Sequence, residues 1–452
     1  MPGSRCKQNA APRNPSWRSA EVKGIVVSRH APPNARGVAA RVLVRVMRDQ
    51  SFAAAALEAE LSRAAQLEPR DRALATELVY GTLRVLPFLE AELDARAKRS
   101  IASLPWDARA ALWVAAEQIF FMRVPAFAAV DEAVTAVKRA AGPAVAGFAN
   151  AVLRKLAAAP RPDRAKAVLA SCPRDLFDAL VRALGEDGAR SFVSETEPPP
   201  IGLRVRDAGA RDAVMKKLAD AYPNASLRAG SVSPLAILAR GIGKPQSLPG
   251  WAEGEISVQE EGSQAIALAL EARAGETVLD ACAGRGNKTG VLALAGGAIA
   301  PSGAERVIVD ACDRDPRKLD RLREDLARLG VAPRATYAVD WSVGSGDVTG
   351  SYDGVLVDAP CSGTGTLRRR PELLLRPRAP LAERTALQRK IALAAAAHVA
   401  PGGRFVYAVC SVLREEAEDV VAALPLEPTS SRRLLPYIHG TDGYFLATFR
   451  KR

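Results

Sequence analysis

Imidazole is scarce in this chain: 452 residues hold three histidines, His30, His398 and His439, and none presents itself as a general base. Cysteine is scarce too, and unpatterned. Cys6, Cys172, Cys282, Cys312, Cys361 and Cys410 are scattered singly, with neither a disulfide framework nor the paired spacing of a metal site. A stapled secreted scaffold and a zinc domain are therefore excluded, and no metal is expected. No apolar run reaches the roughly 18 residues of a membrane helix, and the basic N-terminus lacks the sustained apolar stretch of an export signal. These absences predict a protein of the reducing cytoplasm, off the membrane. No internal repeat is present.

What is there suffices for real cores. With 48% hydrophobic and 25% charged residues the chain should be globular, and its length predicts two or three domains. The charge is one-sided. Against 50 Asp and Glu stand 63 Lys and Arg, a formal +13, which favours a polyanionic partner through phosphate contacts and counterion release.

Along the chain the rhythm changes three times. Residues 1–33 are rich in Pro, Arg, Ser and Asn without periodicity and are expected to form a disordered basic tail. Over 34–160 apolar residues recur at three- and four-residue spacing, as in Val38, Val42 and Val46 with Leu43 and Met47, and later Phe148, Val152 and Leu156. That predicts an all-helical domain. Residues 161–250 are mixed, with a helical piece near Leu176–Leu184, a proline run and the strand-like IGLRVRD; linker helices and a small α+β subdomain are expected there. From 251 to 452 β-branched runs (TVLD, RVIVDACD, RATYAVDWS, DGVLVDAP, RFVYAVCS, GYFLATF) alternate with helical ones, among them Arg317–Leu329, Leu381–Val399 and Arg414–Leu424. Such alternation predicts a parallel, doubly wound sheet.

In an open α/β sheet ligands bind beyond the carboxyl ends of the strands, so residues just after each apolar run carry the chemistry. Four runs end on acids: Asp280, Asp313, Asp340 and Asp358. Asp313 can accept hydrogen bonds from both hydroxyls of a ribose, although Asp313 or Asp315 could equally cap the next helix. After Asp280, the turn Cys282-Ala283-Gly284-Arg285-Gly286-Asn287-Lys288-Thr289 leads into an apolar helix, with glycines that let backbone approach a ligand. A Walker A loop needs glycine directly before its lysine; Asn287 stands there instead, which disfavours a nucleotide hydrolase. The segments DAPCSGTGTLRRRP and YAVCS then place Cys361 and Cys410 just past two strand ends. A buried cysteine is ordinarily a small apolar filler, but a thiolate on the ligand side of a sheet can act as a nucleophile. A ribose-bearing cofactor, a thiolate, an acid and a basic surface together suggest methylation at C5 of a pyrimidine. That carbon is poorly nucleophilic until a thiolate adds at C6.

These motifs carry a resemblance. The chain resembles the S-adenosylmethionine-dependent RNA cytosine-C5 methyltransferases, in their bacterial small-subunit ribosomal RNA branch, over nearly everything from Asn34 onward. The family's DLCAAPGGKT-like segment reads here from Asp280 to Thr289, with Arg285 for a proline and Asn287 for a glycine. Its DAPCSGxGxxRRxP matches from Asp358, its YxTCS matches Tyr407–Ser411 with Val409 for threonine, and SVQEEGSQ and DGYFLATF are further family elements. The resemblance implies a Rossmann-like class I methyltransferase domain at the C-terminal end and S-adenosylmethionine as cofactor. Cys282, Ala283, Gly284, Arg285, Gly286, Asn287 and Lys288 would bind it, with Asp313 and Asp340 at ribose and adenine. It implies Cys410 as the attacking thiol, Cys361 as the thiol assisting resolution or product release, and Asp358 at the base or the cofactor's end. The stretches ARGVAARVLVRV, DRALATELVYGTLR and VPAFAAVDEAVTAVKRA…GFANAVLRKL resemble a NusB-type RNA-binding domain. The implied partner is small-subunit ribosomal RNA, read by a monomer. Two other readings stay open at this point: a catalytically silent RNA-binding assembly factor, suggested by Arg285 and Asn287, and action on another RNA such as transfer RNA.

Overall fold

The computed structural model describes residues 34–195, 197–295 and 306–452. The basic tail expected over 1–33, with Cys6 and His30, lies outside the described residues. Seven helices come first: α1 (Ala35–Arg48), α2 (Ala53–Arg63), α3 (Pro69–Asp94), α4 (Trp106–Phe121), α5 (Ala126–Ala157), α6 (Arg164–Ser171) and α7 (Arg174–Val193). The α1 stripe Val38, Val42, Leu43 and Val46 is buried as its spacing requires, and Asn34 caps the helix by accepting from the Gly37 amide at 2.7 Å. Helices α6 and α7 join the same apolar core as α1–α5, so residue 160 is not a break in packing. That core also takes in Leu374, Val412, Leu413 and Leu435 from the far end of the chain.

A small subdomain follows, made of β1 (Ile201–Val205), α8 (Arg211–Ala221), β2 (Ser226–Ala229), β3 (Ala236–Arg240) and β4 (Ile256–Val258). Its sheet runs in the order β2-β3-β1-β4, all antiparallel, over a core of Leu203, Val205, Leu218 and Ile237.

The last unit holds α9 (Glu261–Leu268), β5 (Thr277–Asp280), α10 (Asn287–Leu294), β6 (Ile308–Asp313), α11 (Pro316–Arg328), β7 (Ala335–Ala338), β8 (Tyr352–Asp358), α12 (Leu381–Ala396), β9 (Val399–Val409), β10 (Glu427–Leu434) and β11 (Tyr444–Arg450). Helix α11 shows how local sequence dictates it. Asp315 caps the first turn, Pro316 presets its backbone angle, and Leu319, Leu322 and Leu326 return to one face, each burial contributing about 1.5–3 kcal/mol.

The seven strands run in the order β10-β11-β9-β8-β5-β6-β7, a Rossmann-like sheet whose switch point lies between β5 and β8. The expectation of an all-parallel sheet needs correction. Strand β11 is antiparallel to both neighbours, because only a short connection separates it from β10, too little chain for the crossover that a parallel neighbour demands. The helix expected over Arg414–Leu424 is also broken. A 3₁₀ turn, Arg414–Glu416, and a single helical turn, Glu418–Val421, flank Ala417 at φ −111°, ψ −100°, and this break turns Glu416 inward.

Candidate active site

Strands β8 and β9 are parallel, with Asp358 in register with Ala408. Both chains then leave the sheet at its carboxyl edge, which brings Cys361 and Cys410 side by side with their sulfurs 3.3 Å apart. Both are half-buried. The Cys361 thiol is pushed well above its ordinary range, first by its hydrogen bond to the Cys410 sulfur and then by burial. The other described thiols are ill suited to attack. Burial raises Cys172 to about 11, and burial with Asp280, Asp358 and Asp313 nearby drives Cys282 well above the usual range. Cys312, fully buried on β6, is raised likewise.

The turn that carries Cys361 is held from below. Buried Glu416 accepts from the Ser362 amide at 2.8 Å and from Gln388 Nε2 at 3.1 Å, and the Ser362 hydroxyl donates to its other oxygen. From α12, Gln388 also donates to the Pro360 carbonyl and Arg384 Nη1 to the Cys361 carbonyl, each at 3.0 Å. The Cys410 side is held by the Gly365 amide, which donates to the Cys410 carbonyl at 3.0 Å. Gly365 has no room for a side chain, since a Cβ there would lie 1.8 Å from the Gly443 carbonyl oxygen.

Beside the thiols, a cavity of about 450 Å³ opens between the ends of β5, β6, β7 and β8 and helix α12. Of the residues expected from sequence, Cys282, Gly284, Asp313, Asp340 and Asp358 line it. Lys288 Nζ pairs with Asp358 at 2.6 Å. Burial would lower that ammonium, but the Asp358 carboxylate outweighs it and the net shift is upward. The remaining members of the loop point elsewhere. Ala283 packs in the apolar layer, Gly286 caps α10, Asn287 offers its carbonyl to Arg204, and the Arg285 side chain turns outward to Asp325 at 3.3 Å. Asp280 is fully buried, accepting from the Thr289 hydroxyl at 2.7 Å.

Two family models match the chain. One described as NusB family covers residues 33–158, and one described as 16S rRNA methyltransferase RsmB/F covers 267–428. The ribosomal RNA small subunit methyltransferase B of Pseudomonas syringae pv. tomato is 33% identical over 416 residues, spanning 89% of this chain and 88% of that protein. The chain belongs to the 16S rRNA methyltransferase RsmB/F family. The protein of the same name from Pseudomonas putida is 31% identical over 92% of this chain and 98% of its own length. The crystal structure of PH0851 superposes with a TM-score of 0.74 over 94% of this chain and 100% of that one; at 23% identity this speaks for the fold alone.

S-adenosylmethionine is the cofactor of these methyltransferases, and the cavity in this RsmB/F chain fits it. The site where a Cβ of Gly284 would stand, at φ +57°, has nothing within 4 Å, so the loop leaves an open cradle against the cavity. Asp313 accepts the Gly284 amide at 3.0 Å and the Asp315 amide at 2.8 Å and pairs with Lys318 at 3.3 Å, which fixes its carboxylate at the cavity wall. Val339, Trp341, Pro360, Leu387 and Ile391 supply the apolar walls a purine needs. Sequence reasoning missed Trp341, Leu387, Ile391 and Glu416. For Trp341 a signal existed, its place just after Asp340; its indole N–H donates to the Ala281 carbonyl at 2.8 Å.

Asp280 yields a prediction about pH. Burial raises its carboxyl from 3.8 to about 6, against the opposing pull of Thr289 and Lys288. A raised acid binds its proton more tightly folded than unfolded, so its contribution to stability is full below pH 3.8 and is lost as pH rises through about 6. Asp280→Asn should therefore gain stability relative to the parent between pH 4 and 7, on the order of 3 kcal/mol. Paired thermal melts across that range check it; a difference independent of pH would overturn it.

Proposed function

We propose that this chain transfers the methyl group of S-adenosylmethionine to C5 of a cytosine in small-subunit (16S) ribosomal RNA, through a transient bond from Cys410 Sγ to C6 of the base. The observation that carries the reading is the pair of thiols 3.3 Å apart at the carboxyl edge of adjacent strands, beside a cavity lined by three strand-end carboxylates. When bound, S-adenosylmethionine supplies an electrophilic methyl group. Gly284, Asp313 and Asp340 would hold it, and the Lys288–Asp358 pair stands between its cavity and the thiols.

The chain's own part is nucleophilic catalysis. The Cys410 thiolate adds to C6, and the electron pair released into the ring makes C5 an enamine carbon able to accept a methyl cation equivalent. C5 then loses its proton, the S–C6 bond breaks, and the thiolate returns with the ring restored. In this role Cys361, its sulfur 3.3 Å away, donates its S–H to the Cys410 sulfur while that sulfur carries charge, at entry and at departure. The base must leave its stack to reach these sulfurs. A formal charge of +13 and the NusB-like helices support an RNA partner, and the names of the relatives support the small ribosomal subunit as its source. A silent scaffold rests on Arg285 and Asn287, but neither side chain enters the cavity.

The test is direct. Unmodified small-subunit RNA incubated with the protein and methyl-labelled S-adenosylmethionine should carry label at C5 of cytosine, at a position that bisulfite sequencing finds unmodified in RNA from a deletion strain. Label absent from cytosine C5 refutes the proposal, and label in transfer RNA alone moves the substrate.

A further inference from the structure

The segment that follows Cys361 leans on the helical domain at several points. Arg84 of α3 is buried, and its Nη2 donates to the Arg368 carbonyl at 2.8 Å, while its Nε has no hydrogen-bond partner among the described residues. A guanidinium taken out of water is costly unless its hydrogen bonds serve something, and this one reaches across to another domain. The α1–α2 connection does the same. The Phe52 ring lies under two guanidinium groups, Arg370 at 4.5 Å and Arg376 at 4.0 Å, the Ala53 amide donates to Glu372 at 3.3 Å, and Arg376 donates to the Gln50 carbonyl at 2.6 Å. Gln50 holds this clasp with φ +54°, a conformation that costs a side-chain-bearing residue energy.

From there the contacts lead inward. The Arg368 side chain donates to Asp442 at 2.6 Å and to the Gly440 carbonyl at 2.8 Å, and Asp442 precedes Gly443. The Gly443 amide donates to the Gly365 carbonyl at 2.8 Å, and the Gly365 amide donates to the Cys410 carbonyl. Behind the nucleophile, Val412 and Leu413 are buried in the core of the helical domain itself.

We propose that the helical domain is a built part of the two-thiol site: Arg84 and the Phe52–Ala53 clasp are positioning residues that hold residues 365–376 against Cys410. They set the rate of chemistry without setting the affinity for RNA. The inference rests on the reading of Cys410 as the nucleophile. Misplacement of a reacting group by about 1 Å can cost ~10²-fold, and the closeness of Gly365 to Gly443 leaves little slack to absorb a shift.

The experiment compares Arg84→Met, Arg84→Lys and Phe52→Ala with the parent protein in methyl transfer to small-subunit RNA, in RNA binding, and in alkylation of Cys410 by iodoacetamide followed by mass spectrometry. Arg84→Met should lower kcat ~10- to 100-fold with KM and Kd for RNA within about twofold, Arg84→Lys should recover part of the loss, and Phe52→Ala should lower kcat at least ~3-fold. The alkylation rate of Cys410 should shift at least ~3-fold in Arg84→Met and Phe52→Ala. A rise in KM with kcat intact would overturn the proposal in favour of plain RNA binding. A lowered Tm with kcat and alkylation unchanged would overturn it in favour of a merely structural contact. Should the parent protein leave cytosine C5 unmethylated, the functional reading fails and the alkylation arm, which needs neither RNA nor cofactor, still decides the inference. If Arg84→Met does not fold, Phe52→Ala decides it.

Discussion

Cys410→Ala protein is expected to bind small-subunit RNA as the parent does and to transfer no measurable methyl group, a loss of at least ~10³-fold. The size follows from the chemistry of the base. C5 of cytosine becomes nucleophilic when a thiolate adds at C6, so removing the sulfur takes away the activated species itself. The neighbouring thiols offer no substitute. The Cys361 thiol is pushed well above its ordinary range and its turn is tied to Glu416, Gln388 and Arg384, while Cys282 and Cys312 are raised by burial and by nearby acids. The measurement is single-turnover transfer of labelled methyl, with RNA affinity determined alongside. Retention of more than about a tenth of the parent rate at unchanged affinity would show that the nucleophile lies elsewhere.

Strand-end position drew attention to Cys361 and Cys410 alike, and the family resemblance alone implied which of the two attacks. Strands announce themselves by β-branched runs, and in an α/β sheet the residue after a run faces the ligand, so Asp313, Asp340, Asp358 and the two cysteines could be placed at one edge before any coordinates. What periodicity does not carry is direction and partnership. GYFLATF reads as a strand whichever way it runs, and its reversal depends on EPTSSRRL, a polar edge strand with seven consecutive residues outside the core and hence no apolar alternation to betray it. Glu416 illustrates the second limit. Within REEAED it looks like one acid of a solvated helix, and its burial beneath Ser362 follows from the backbone break at Ala417, which no spacing rule signals. The cofactor loop shows a third. Arg285 and Asn287 depart from the family pattern in the string, yet in space one side chain points to Asp325 and the other residue meets Arg204 through its main chain, so substitutions conspicuous in sequence fall where the cavity is not.

Cys361→Ala should have the opposite outward sign from Cys410→Ala: a protein that reacts with RNA and fails to let go. Addition at C6 requires the Cys410 thiolate as nucleophile, whereas release requires the same sulfur to depart carrying the electron pair. In the proposed division of labour Cys361, its sulfur 3.3 Å from that of Cys410, donates its S–H to that departing charge. Without it, and with Gly365 still fixing the Cys410 main chain, elimination slows more than addition. The covalent complex then accumulates. After incubation with small-subunit RNA and S-adenosylmethionine, denaturing electrophoresis should show a band shifted by the mass of the RNA, approaching one RNA per protein, with multiple turnover reduced at least ~10²-fold. Adding Cys410→Ala on top should abolish the band, because the bond to be trapped belongs to Cys410. A complex of Cys361→Ala that dissociates in denaturant, or an adduct that survives in the double variant, would contradict the division of labour between the two sulfurs.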